Sequence, residues 1–170
     1  MLDKKEDDTM FRRMLAMLTM LCLLAAPALA QGYEWTEDLR DDSYPGFYIQ
    51  IPQDPNLKMK LPDGWTEVGY SGSVAGFESA DGRMRMSVSW IDEDLFEYLS
   101  RIEPLPEYRS WSFYMSNGDV ECAVGIMDDG VTCVCPTQDQ RATLIFNFEL
   151  SDMNAQRIIA EHMICSLNYH

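Results

Sequence analysis

The sequence predicts an α+β domain: an antiparallel β-sheet of about six to eight strands with two helices packed on it. Three observations lead to this fold class. Short apolar segments are separated by turn signals such as Asp81-Gly82 and Asn117-Gly118. Several of these segments alternate apolar and polar residues, as half-buried strands do. Two further segments have helical spacing, which fits helices laid over the apolar face of a sheet.

The first strands are predicted between residues 47 and 91. Five segments are assigned to strands: 47–51, 57–61, 65–70, 74–79 and 83–91. Asp81-Gly82 predicts a tight hairpin, because both residue types tolerate the positive φ of a primed turn. In the last segment, one face carries three apolar residues followed by Trp90, and the other face is polar. The alternation therefore predicts that Trp90 belongs to the core.

A helix is predicted over residues 92 to 102. Asp92 is assigned as its cap, and the carboxylates of the first turn suit the positive end of the helix dipole. Leu95, Phe96 and Leu99 form the apolar side that is expected to face the sheet.

Four more strands and a closing helix complete the predicted domain. The strands are assigned to 109–116, 119–127, 131–135 and 141–150, with turns at 117–118 and 128–130. Trp111 alternates in phase with Phe113 and Met115, which predicts a core position for it. The closing helix is predicted over 152–167, with Ser151 as its cap. Its apolar side comprises Ala155, Ile158, Ile159 and Met163.

The N-terminus has the pattern of a secretory signal peptide, residues 1–30. A basic pair at 12–13 precedes the apolar segment 14–26, and residues 28–30 place small side chains at a peptidase site. We predict cleavage after Ala30, and a true start at Met10 because residues 1–9 are charged and partly acidic. The apolar segment is shorter than the roughly 20 residues of a membrane span. The sequence therefore predicts a secreted or extracytoplasmic bacterial protein without a stable membrane anchor.

The rest of the chain is predicted as an acidic N-terminal arm, residues 31–45, and a single α+β domain, residues 46–170. The leader holds equal numbers of acidic and basic residues, so the mature chain keeps the formal net charge of −15 of the whole sequence. Such a surface repels phosphate backbones and anionic membranes, which argues against nucleic acid or membrane as a partner. Its acidity predicts a soluble monomer.

The order of elements resembles that of the PsbP-like group of extracytoplasmic α/β/α sandwich domains. The resemblance spans roughly residues 47–168 and depends on element order. Its features are the strand entry Pro62-Asp63-Gly64-Trp65, the helix after Trp90, the Asn117-Gly118 hairpin and the closing Cys165-Ser166-Leu167. The group includes photosystem accessory subunits and many uncharacterised secreted bacterial proteins. The resemblance therefore implies a fold and an accessory role, and no site residue.

Four cysteines follow the leader: Cys122, Cys133, Cys135 and Cys165. An even number in an exported protein predicts disulfides. A bridge from Cys133 to Cys135 is disfavoured, because side chains two apart on a strand stand about 7 Å from each other. A hairpin centred at 128–129 puts Cys122 opposite Cys135. We therefore predict that pair, with Cys133–Cys165 as the second bridge, and buried reduced thiols as the alternative.

A metal site is the third hypothesis for these thiols. His162 and Cys165 are three apart on one helix, and with Cys133 and Cys135 they would supply four soft ligands for zinc or iron. The Cys-x-Cys spacing and the apolar sheet face are unusual for such a site. No metal and no other cofactor is therefore predicted.

The sequence carries no clear catalytic set. Its two histidines are His162 and His170, and no serine lies in a nucleophile elbow. Carboxylate pairs such as Asp92 and Asp94 suit a glycosidase only inside a cleft, and their positions in turns and helix starts explain them equally well.

The tryptophans provide the candidates for ligand contact. Trp35 and Trp65 are predicted to be exposed for it, because Trp90 and Trp111 are in phase with core residues. The function predicted is a non-enzymatic binding or accessory module for a protein or cell-envelope component. The alternative is a small extracellular hydrolase or a thiol-redox protein.

Overall fold

A computed structural model describes residues 33–69 and 75–169. The predicted signal peptide lies outside these residues, and Trp35 to His170 belong to one structural unit. Within the described ranges, no helix combines the length and apolar character that crossing a bilayer requires.

A seven-stranded sheet forms the centre of the domain, with the strand order β3-β4-β5-β9-β8-β7-β6. Every neighbouring pair in it is antiparallel. Its strands are β3 (Thr66–Glu67), β4 (Ala75–Glu78), β5 (Met84–Ile91), β6 (Ser110–Met115), β7 (Glu121–Ile126), β8 (Gly130–Pro136) and β9 (Thr143–Leu150). Gly82 has a φ of 68°, as the predicted Asp81-Gly82 hairpin requires. The α+β class and the antiparallel pairing are thus confirmed.

A second sheet of three strands was not predicted as a separate layer. It consists of β1 (Gly46–Ile51), β2 (Asp54–Pro62) and β10 (Asn168–Tyr169), in the order β1-β2-β10. The single predicted sheet is therefore two sheets with ten strands among the described residues. A strand of two residues carries no periodic signal, which is why β10 was missed.

The two helices begin later than predicted. Helix α1 (Leu95–Ile102) is capped by Asp94, whose side chain accepts hydrogen bonds from the Phe96 and Glu97 amides. Helix α2 (Met153–Cys165) is capped by Asp152. The predicted caps, Asp92 and Ser151, lie outside the helices. Each helix begins directly after the aspartate whose carboxylate accepts hydrogen bonds from two free amides of the first turn.

The helices cover opposite faces of the seven-stranded sheet. Side chains of α1 pack on Ala123 and Val134. The other face carries the larger core, in which the alternate residues Val124 and Cys133 pack with Met163 of α2 and with the three-stranded sheet. On the two helices, Phe96 and Ala155 were predicted to face inward and are exposed. Each lies at the border of its helix's apolar side.

Candidate functional site

A polar cleft of about 460 Å³ lies at one end of the seven-stranded sheet. Three segments line it: the β1–β2 turn, the end of β5 and the β8–β9 loop. The residues are Gln53, Asp54, Asn56, Trp90, Asp92, Thr137, Gln138, Asp139, Arg141 and Ala142.

Trp90 is the aromatic wall of this cleft, and its predicted core position is wrong. Met86 and Val88 on the same face of β5 are fully buried, whereas 46% of Trp90 is exposed. Alternation identifies the face on which a side chain lies, but it does not tell where the covering layer ends. Trp90 lies on the core face beyond that layer, so its indole borders the cleft.

The β8–β9 loop is held by its own hydrogen bonds. The Thr137 amide donates to the Ala142 carbonyl at 2.9 Å, which closes the loop. The Thr137 hydroxyl donates to Asp139 Oδ1 at 2.7 Å, and the Arg141 amide donates to the same oxygen. These two bonds, the hydroxyl one first, lower the pKa of Asp139, so its carboxylate is ionised at neutral pH.

The β1–β2 turn is tied to that loop across the floor of the cleft. The buried Asp54 carboxylate accepts from the Gln138 amide at 2.7 Å, and its other oxygen accepts from the Asn56 amide. The Asn56 side-chain amide also donates to Gln138 Oε1 at 2.7 Å. Two walls that are tied in this way are preorganised, which lowers the entropic cost of binding a ligand.

The cleft combines an apolar plate with many hydrogen-bonding groups. The indole of Trp90 offers an apolar face, and the side-chain amides of Gln53, Asn56 and Gln138 donate and accept. Arg141 forms no ion pair with any residue in the described ranges. An aromatic ring beside amides, carboxylates and a guanidinium suits a polyhydroxylated ligand.

The four cysteines lie together in the core as free, buried thiols. The strands have the predicted register: Ala123 faces Val134, and one further step along both strands brings Cys122 opposite Cys135. Neither predicted bridge, Cys122–Cys135 or Cys133–Cys165, is formed in this structure. The pairing therefore stays a prediction.

Burial favours the protonated form of three of these thiols. It raises the pKa of Cys133 and Cys135 well above the ordinary value, and it raises the pKa of Cys165 to about 11. The thiolate is the nucleophile and the metal ligand. Protonated thiols without contact to solvent are therefore poorly suited to redox exchange.

A thiol count tests the state of the cysteines. We expect the folded chain 31–170, which lacks Cys22 of the predicted leader, to resist a thiol reagent at neutral pH, and its four thiols to react after denaturation without reductant. A count of two after denaturation would show that one pair, Cys122–Cys135 by register, forms in the exported protein. A count of zero would establish both bridges and contradict the free-thiol state.

The metal hypothesis is not supported, because its four residues do not converge. His162 Nδ1 lies 3.0 Å from the Asp41 carbonyl oxygen, and Nε2 lies 2.8 Å from that of Thr36. Both ring nitrogens are thus occupied by the N-terminal arm, away from the thiols. No group of three candidate ligands comes together anywhere in residues 33–69 and 75–169.

Trp35 and Trp65, the two tryptophans predicted to be exposed for ligand contact, pack against other parts of the protein. Trp65 is buried, with 6% of its surface exposed, so that prediction is wrong for it. Trp35 packs against Tyr44 and His162, with ring centroids 5.0 and 5.2 Å away, and it fixes the arm. Neither borders the Trp90 cleft.

Comparison with known proteins agrees with the fold. The solution structure of cyanobacterial PsbP (CyanoP) from Synechocystis sp. PCC 6803 is similar over 76% of this chain and 96% of that chain, with a TM-score of 0.50 and 10% identity. The chain has a PsbP-like fold. This confirms the resemblance predicted from element order, and at this identity the likeness concerns the fold alone.

A second structural similarity involves a larger protein. A crystal structure from Bacteroides thetaiotaomicron VPI-5482 matches 74% of this chain with a TM-score of 0.53 and 16% identity. The chain corresponds to 48% of that protein. No protein-family model matches the sequence, and no curated protein matches it either. The Trp90 cleft therefore has to be interpreted from its own chemistry.

Proposed function

We propose that this protein is an exported, non-enzymatic accessory module that binds a glycan of the cell envelope in the Trp90 cleft. Export is supported by the signal-peptide pattern of residues 1–30. An accessory role is supported by the PsbP-like fold, since the PsbP-like group includes photosystem accessory subunits. The glycan is the envelope component that the cleft suits best.

The observation that carries the proposal is the half-exposed indole of Trp90 in a cleft with tied walls. A sugar ring presents C–H groups on one face and hydroxyls around its edge. The C–H face stacks on an indole, whereas the hydroxyls need paired donors and acceptors. Asn56 and Gln138 lie in the same cleft, and the bonds from Asp54 fix their backbone.

Two of the three carboxylates of the cleft, those of Asp54 and Asp139, argue against a glycosidase. That chemistry needs one carboxylic acid with a raised pKa as the proton donor. The pKa of Asp139 is lowered instead, because Thr137 and the Arg141 amide stabilise its ionised form. Asp54 is buried and accepts a backbone hydrogen bond on each of its oxygens. Both carboxylates therefore suit holding the loops of the cleft in place, and neither suits donating a proton to a substrate.

Replacing Trp90 with alanine is expected to weaken glycan binding at least about tenfold, since the stacking plate is lost. The probes are N-acetylglucosamine oligosaccharides and soluble peptidoglycan fragments, titrated by calorimetry into the mature chain. Phe113→Ala is the matched control: it removes an aromatic residue that is 64% exposed on a different strand. Equal affinity of both variants, or no binding by the wild type, would refute the proposal. Release of sugar products would favour the hydrolase alternative.

A further inference from the structure

A second, apolar surface lies along the edge of the sheet formed by β6. We define the α1–β6 surface by Phe96, Phe113 and Met115, with Leu95 and Leu99 at its base. The first three side chains are 76%, 64% and 52% exposed. They border a groove of about 350 Å³ between α1 and β6. Contiguous apolar exposure on this scale is characteristic of an interaction surface.

The outer edge of β6 is open along its whole length. β6 is the last strand of the seven-stranded sheet, and no residue of the described ranges pairs with its outer side. Its sequence, Ser110 to Met115, contains neither a charged residue nor a proline. Edge strands are ordinarily protected by charges, prolines or bulges, because an open edge pairs with another strand.

We propose that two copies of this chain associate through the α1–β6 surface, with the β6 strands paired antiparallel about a two-fold axis, in place of the monomer that the net charge alone predicts. Such a contact is isologous, so the same residues serve on both sides. Trp111 packs with the α1 cluster, and alternation places Phe113 and Met115 on that same face. Pairing of the two edges therefore brings the four exposed β6 side chains together beside both α1 helices.

The charge distribution selects a second copy over a basic partner. Glu121 is the one charged residue among the described residues that line the groove. A basic peptide would find little to pair with there, whereas a neutral apolar surface matches itself. The net charge of −15 still opposes the approach of two copies from a distance. Salt screens that repulsion and leaves the apolar contact intact, so the dimer is stabilised by added salt.

The size of the surface sets the expected strength. With about 200 Å² for each large side chain, the three exposed residues leave on the order of 400 Å² per copy. Two copies then bury about 800 Å² before the paired backbone is counted, which is below the roughly 1,200 Å² of a tight interface. The dimer is therefore concentration-dependent.

The test is the mass of the mature chain in solution, by analytical ultracentrifugation from about 1 to about 200 µM. We expect a monomer–dimer equilibrium whose dissociation constant falls about threefold or more between 50 and 500 mM NaCl. Phe113→Lys is expected to give a monomer throughout, and Phe96→Lys, on α1, to weaken the dimer at least about tenfold. Trp90→Ala, in the separate cleft, is the control and should dimerise as the wild type does.

Three results would overturn the proposal. A wild type that stays monomeric at every concentration and salt lacks the contact. An association that weakens with salt is electrostatic and does not use this surface. A dimer that persists in both Phe113→Lys and Phe96→Lys, each verified as folded by its thermal transition, forms elsewhere. Because Phe96 lies on the exposed side of α1, its replacement tests the surface even if the strand variant fails to fold.

Discussion

Gly118→Ala is expected to reduce the free energy of unfolding by about 2–4 kcal/mol. A methyl group at this position would meet the Cα and Cβ atoms of Asn168 and would lie 2.7 Å from the Leu167 carbonyl oxygen. The Gly118 amide donates to that same oxygen at 3.2 Å. Since two of the three obstacles are backbone atoms, no side-chain rotation relieves the clash.

The matched control for this change is Gly69→Ala. A Cβ atom at Gly69 would have no neighbour within 4 Å among the residues that the structure describes, so that variant is expected to stay within about 0.5 kcal/mol of the wild type. The measurement is the urea unfolding midpoint of each variant, followed by circular dichroism. Equal midpoints for the two variants would contradict the close approach of the 117–119 turn to the end of α2.

His162→Ala is expected to release the N-terminal arm and to cost about 2–4 kcal/mol. The imidazole is buried, contacts the carbonyl oxygens of Thr36 and Asp41, and packs beside Trp35. Its loss removes the ring that contacts both carbonyl oxygens and opens a cavity below the indole. The arm has no regular secondary structure of its own, so it depends on side-chain contacts, of which those of His162 join the bond from the Asn117 side-chain amide to the Arg40 carbonyl oxygen.

Limited trypsin digestion reports the release, because Arg40 lies in the arm between the two anchored carbonyls. We expect cleavage after Arg40 to be at least about tenfold faster in His162→Ala than in the wild type. Arg157→Ala is the control on the same helix, since it removes only a surface ion pair with Glu161. An arm that resists trypsin equally in both variants would show that His162 does not anchor it.

Turn chemistry predicted much of the sheet. The 128–130 turn gave the register that carries Cys122 opposite Cys135, because a hairpin's register follows from its turn. Asn117-Gly118 correctly predicted the preceding hairpin, between β6 and β7, but Gly118 is not the residue that adopts positive φ there. The residue with positive φ there is Asp119, at 58°, and Gly118 is required for the close approach to Asn168. That contact joins distant parts of the chain and has no local signal.

The sequence did not predict the candidate site, because the site depends on where the elements that cover the sheet end. Alternation placed Trp90 correctly on the core face of β5, yet the core stops before it. The bonds between Asp54 and Gln138 likewise connect two loops that are far apart in sequence. Helical spacing places His162 beside Cys165 as a possible ligand, but both of its ring nitrogens contact carbonyl oxygens of the N-terminal arm. Each error concerns a tertiary partner, which periodicity does not identify.

The position of β10 bears on how the chain acquires its fold. Asn168 pairs with Lys58, so the three-stranded sheet closes only when nearly the whole domain has been synthesised. Contacts between such distant positions form slowly, because the intervening chain must first lose its conformational entropy. A chain whose three-stranded sheet closes only with its last strand cannot complete its fold before that strand is available, and this order of events suits the export that we propose.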